Sequence, residues 1–100
     1  MKIFIKLPEN FHIQIKDKNY TIKADIKYGS FENNVLLLNT NITAPLLVKN
    51  IFLNNIRDFI VKIGLKCLVS YDKIYIDLHS MENIVNISYE SGGFIIELNN

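Results

Sequence analysis

One segment of this chain repeats its apolar residues with helical spacing over a useful length: TAPLLVKNIFLNNIRDFIVKIG, residues 43–64. On both sides of it apolar residues recur at every second position, the spacing of half-buried strands. Such a chain has few options, because neither the helix nor the strands can bury their apolar sides alone and the helix must lie on a sheet. The expected fold is α+β: a mainly antiparallel, twisted sheet of seven to eight strands with one central α-helix, four strands before it and four after. At 100 residues and 49% hydrophobic content, the chain suits a single domain, residues 1–100, with a core that needs no disulfide or metal.

At roughly 100° per residue, Val48, Phe59, Phe52, Ile63, Ile56, Ile60, Leu53 and Leu46 fall in one sector of the helix, with Lys49 its only charge. That sector is the expected core face. Thr43 or Ala44 is the expected cap, Pro45 sits in the first turn where its missing donor costs nothing, and Gly64 ends the helix. The opposite sector is polar except for Leu47, Ile51 and Val61. Leu47 and Ile51 are one turn apart and therefore neighbours. Either a loop such as residues 80–83 covers them or they meet a partner.

Alternation also predicts pairing. In FHIQIK, Phe11, Ile13 and Ile15 share a face, as do Tyr20, Ile22, Ala24, Ile26 and Tyr28 in YTIKADIKY. A hairpin across Asp17-Lys18-Asn19 then sets Ile15 opposite Ile22, Ile13 opposite Ala24 and Phe11 opposite Ile26. KIFIKL precedes it through a turn at Pro8-Glu9-Asn10, with Ile3, Ile5 and Leu7 inward. VLLLNTNIT follows a loop at residues 29–34, with Leu36, Leu38 and Ile42 inward, which completes a four-strand meander. Beyond the helix, LKCLVSY and KIYIDLH pair across Asp72-Lys73 (Val69 with Ile76, Cys67 with Leu78), and IVNISYE pairs with FIIEL around Ser91-Gly92-Gly93.

This register leaves Phe4, Val35 and Leu37 on the outer face of the sheet, and Leu68 and Ile95 face outward in the later hairpins. Apolar residues on nearly every outer face point to a curved sheet or to association of chains. The candidate partner-binding residues are accordingly Leu47, Ile51, Phe4, Val35 and Leu37.

Charge excludes some partners. Residues 1–43 carry six Lys against four acids and residues 44–100 carry five bases against six acids, neither balance being that of a nucleic-acid binder. A lysine-rich outer face (Lys2, Lys6, Lys16, Lys23, Lys27) is the one place where phosphates would be met, and edge protection is the commoner use of such lysines. Charged and amide residues interrupt the helix throughout, so no membrane span is expected. The lone Cys67 and the alternating start of the chain suit a reducing, cytoplasmic setting.

No catalytic constellation emerges. His12 and Asp25 fall cross-strand in the predicted register without a nucleophile beside them. Asp77 and His79 share a strand face with Glu82 close behind, too few donors for a metal centre. No metal site and no cofactor are expected. The reading that follows is a small non-enzymatic binding or self-association module, a homodimer or a protein-partner module. The alternative is a carrier of an apolar, lipid-like ligand held between the helix and a curved sheet, and nucleic-acid contact through the lysine face comes third.

Overall fold

Phe52, Ile56 and Ile60, three successive positions of the helical stripe, are 0% exposed, as are Leu36, Leu38, Ile74 and Ile76 of the strands, so helix and sheet do share one core. A computed structural model describes residues 1–7, 10–23, 25–90 and 92–99, without the side chains of residues 10, 11, 15 and 23. The described residues form nine strands and one helix, mostly antiparallel sheet. In chain order these are β1 (Lys2–Lys6), β2 (Asn10–Ile15), β3 (Lys18–Lys23), β4 (Ile26–Glu32), β5 (Val35–Thr40), α1 (Leu46–Lys62), β6 (Lys66–Ser70), β7 (Lys73–Asp77), β8 (Ile84–Glu90) and β9 (Gly93–Leu98).

The expected continuous sheet of seven to eight strands does not form. The strands make three ladders instead, β1-β9-β8, β2-β3 and β4-β5-β7-β6. The initial meander is replaced by long-range pairing, since β1 joins β9 from the other end of the chain, Ile3 opposite Ile96 and Ile5 opposite Phe94. What was expected as one strand, residues 20–28, divides into β3 and β4, which belong to different ladders. The result is elongated, 51 × 22 × 22 Å, with a radius of gyration of 14.2 Å against about 13 Å for a compact 100-residue domain.

Both predicted hairpin registers shift while keeping the same faces paired. Phe11 lies opposite Ile22 and Ile13 opposite Tyr20, around a two-residue connection at Lys16-Asp17. Val69 lies opposite Ile74 and Cys67 opposite Ile76, around Tyr71-Asp72. The first connection is shorter than expected and the second is displaced by one residue, and in each a non-glycine residue takes left-handed backbone geometry: Lys16 at φ 55° and Tyr71 at φ 54°. Strand β4 likewise continues to Glu32 and turns at Asn33-Asn34, both residues with positive φ (53° and 60°), the geometry of a type I′ hairpin turn. The loop expected at residues 29–34 is thus mostly strand, with Gly29 at a register shift between Tyr28 and Ser30. The turn expected at Pro8-Glu9-Asn10 and the pairing to Ala24 involve positions outside the described residues.

Helix α1 begins after Pro45 (φ −55°, ψ 146°), with no side-chain cap, in place of the cap expected at Thr43 or Ala44. Its end follows expectation in detail. Gly64 adopts φ 97°, its N–H donates to Val61 O and Leu65 N–H donates to Ile60 O, the paired bonds of a Schellman ending. Val48, Phe52, Leu53, Ile56 and Ile60 are buried, whereas Leu46 (70% exposed) and Ile63 (43%) leave the expected core face. Leu46 is the first residue of the helix and Ile63 the residue just after it, so the buried stripe stops short of both ends.

Lys49, the charge inside the apolar sector, is explained by its partner. Its Nζ forms an ion pair with the Asp72 carboxylate in the β6–β7 turn. The carbonyl of the same Asp72 accepts from Thr40 N–H (2.7 Å) and Thr40 Oγ1–H (2.9 Å), so one turn is tied to both α1 and β5. Thr40 is a buried polar residue, and Thr40→Val removes only the hydroxyl bond at constant shape. A loss of about 1 kcal/mol is expected in urea denaturation. No change would mean that the hydroxyl adds nothing to the turn.

Candidate functional site

The four-stranded sheet has one face closed and one open. Leu36, Leu38, Ile74 and Ile76 point into the core, and by alternation their neighbours point away. Cross-strand pairing arranges those outward residues in three rows across β4-β5-β7-β6. The first is Glu32, Val35, Asp77, Lys66; the second Ser30, Leu37, Tyr75, Leu68; the third Lys27, Asn39, Lys73, Ser70. Val35, Leu37 and Tyr75 are partly exposed, and Leu68 is 65% exposed. A shallow depression on this face is lined by Val35, Leu68, Tyr75, Asp77 and Lys66.

Charge is divided across the apolar row. One end carries Glu32 and Asp77 with Lys66 beside them; the other carries Lys27 and Lys73 and no acid. At Asp77 the His79 backbone N–H and then the His79 ring hold the carboxyl below its ordinary value, Lys66 adding a smaller pull. The His79 N–H donates to Asp77 Oδ1 at 2.9 Å. At the other end Lys73 Nζ donates to Asn39 Oδ1 at 3.1 Å.

Of the predicted partner-binding residues, Val35 and Leu37 lie together on this face. Phe4 is on a different sheet, where its ring reaches over the backbone of Gly93. Ile51 is partly buried against the core, and Leu47 is 59% exposed on the helix, uncovered by the loop at residues 80–83. Leu46 and Tyr71, 86% exposed, form a second apolar group around the start of α1 with Lys49 and Asn50. Leu68 was legible as outward-facing. Tyr75 was missed, although alternation within KIYID places it on the same side; its position beside Leu37 depends on the β5–β7 pairing, which joins residues far apart in sequence.

The chemical candidates separate. His12 lies opposite Thr21 and hydrogen-bonds its hydroxyl through Nδ1 (3.2 Å), so the expected cross-strand pair with Asp25 is absent. Asp77 and His79 bond to each other, and among the described residues no three His, Cys, Asp or Glu side chains come together as metal donors. Burial pushes the Cys67 thiol up to about 11, against a smaller lowering by Arg57, which leaves it a protonated, weak nucleophile near neutrality. The expected lysine face is dispersed: Lys2 and Lys6 lie on β1, Lys16 in the β2–β3 turn and Lys27 on β4, while the Lys23 side chain is outside the described residues. No described helix is long and apolar enough to cross a membrane. No family model, curated protein or solved structure matches the chain.

Proposed function

We propose that this protein is a non-enzymatic self-association module whose open sheet face docks onto a second copy of the chain. The observation that carries this is the apolar row Leu37, Tyr75, Leu68 with Val35, left uncovered on a sheet whose other face is closed by α1. The charge pattern around it favours a copy over an unrelated partner: acids at one end and lysines at the other make the surface complementary to itself turned over.

The apolar group around Leu46 and Tyr71 has no such pattern. The apolar-ligand alternative is weakened by packing, because the space between helix and sheet is filled by Phe52, Ile56, Ile60, Leu36, Leu38, Ile74 and Ile76, each 0% exposed.

Sedimentation equilibrium from about 10 μM to about 1 mM, the range suited to a small interface, is expected to show a reversible dimer that Leu68→Asp abolishes. Leu68 is exposed, so the variant should keep its circular dichroism spectrum. A monomer across the whole range, or a dimer indifferent to Leu68→Asp, overturns the proposal.

A further inference from the structure

Resting on that reading, the row geometry also specifies how the second copy sits. We infer that the dimer is built around a two-fold axis running along the row Ser30, Leu37, Tyr75, Leu68, so that the Glu32/Asp77 end of each copy covers the Lys27/Lys73 end of the other.

Two ways of stacking the face on itself keep the apolar row in the centre. A two-fold axis along the row, perpendicular to the strands, places each strand over the same strand of the copy, reversed in direction. Glu32 then meets Lys27 of the copy, Asp77 meets Lys73, Lys66 meets Ser70, and Leu37, Tyr75 and Leu68 each meet themselves. Both acids face lysines, and each such pair occurs twice by symmetry.

An axis parallel to the strands pairs the charges less completely. It lays β4 over β6 and β5 over β7, so that Glu32 meets Lys66 of the copy but Val35 lies over the Asp77 carboxylate, while Lys27 meets Ser70 and Lys73 meets Asn39. Only one of the two acids then faces a lysine, Lys27 and Lys73 have no acid opposite, and an acid pressed on an apolar side chain opposes association. The first arrangement is the one the charges favour.

Its size sets its strength. Four strands about 4.8 Å apart and three rows of residues cover roughly 400 Å² per copy, about half of a standard interface. The dimer is therefore weak and reversible. Part of its attraction is between exposed ions, which added salt screens.

Two measurements test the axis separately from the existence of the dimer. Stacked sheets lie about 10 Å apart, too far for a direct disulfide, so Leu68→Cys in a Cys67→Ser background is treated with a short bismaleimide. The inferred axis places the two copies of position 68 face to face, and efficient cross-linked dimer is expected. The rejected axis puts them at opposite edges of the stack.

The second measurement uses charge reversal. Lys27→Glu or Glu32→Lys alone places like charges together twice per dimer and is expected to weaken association about tenfold. The double variant restores complementarity and should return most of that loss. Neither residue has a charged cross-strand neighbour within the chain, Lys27 facing Asn39 and Glu32 facing Val35, so folding is not expected to follow this pattern. A dimer that neither cross-links at position 68 nor recovers in the double variant overturns the axis and leaves self-association standing. A monomer throughout overturns both.

Discussion

Phe52→Ala is expected to lower the unfolding free energy by about 3–5 kcal/mol, a large share of the roughly 5–15 kcal/mol typical of a small domain. Phe52 lies in the middle of α1, is 0% exposed and belongs to the same cluster as Leu36, Leu38, Ile74, Ile76, Phe94 and Ile96. Truncation removes the apolar transfer term and leaves a cavity that side chains from several elements would all have to move to fill. In a urea titration the midpoint should fall with little change in slope. Leu47→Ala, on the exposed side of the same helix, should stay within about 0.5 kcal/mol. Equal effects at the two positions would mean that α1 does not present the buried stripe to the sheet.

Gly93→Ala is expected to be the next most damaging change, for the opposite reason. A Cβ added at Gly93 would lie 2.5 Å from Ile5 O, 2.8 Å from Lys6 Cα and 2.9 Å from Phe4 Cζ. The first two are backbone atoms of β1, so no rotamer change relieves the contact and β1 must move away from β9. A cost of about 1–3 kcal/mol is expected. It should be local: amide exchange of β1 accelerates while β5 and β7 keep their protection. Gly64→Ala is the informative comparison, because an added Cβ there meets nothing within 4 Å and only the φ of 97° is unfavourable. Protection of β1 unchanged in Gly93→Ala would mean that the β1–β9 ladder tolerates a separation its hydrogen bonds do not allow.

Gly93 also accounts for an apolar residue that sequence alone leaves unexplained. Phe4 is 49% exposed, yet its ring covers a glycine that offers no side chain to its own ladder. An outward apolar residue on β1 therefore has a partner within the chain. Outward apolar residues on β5, β6 and β7 form a continuous row instead. That distinction separates the surface proposed for docking from the rest of the apolar exterior.

The Lys49–Asp72 pair shows a similar limit. From the sequence, Lys49 is an exception within a stripe of Val48, Phe52 and Ile56. In the structure it reaches the turn that also holds Thr40, tying the start of α1 to the edge of the sheet on which it lies. Periodicity identifies such an exception and says nothing of its partner, which is 23 positions away.

What the sequence by itself determined was local: the α+β class, the helix stripe from Val48 to Ile60, the Gly64 ending, and the side of the sheet to which each strand residue points. Period-two alternation carries that last information and no more. Sliding a hairpin by two or four residues keeps apolar opposite apolar, so alternation fixes a register only to within an even number of residues. The choice among those registers was made by turns in which Lys16 and Tyr71 take left-handed backbone geometry that their residue type does not announce. Tertiary structure also decided the pairing of β1 with β9 and the division of the strands into three ladders, because contacts across most of the chain depend on how all the apolar surface is buried at once. The face proposed for docking lies on that second side. Val35, Leu37, Leu68 and Tyr75 each faced outward by local rule, and only the β5-β7-β6 ladder placed them in one patch with acids at one end and lysines at the other.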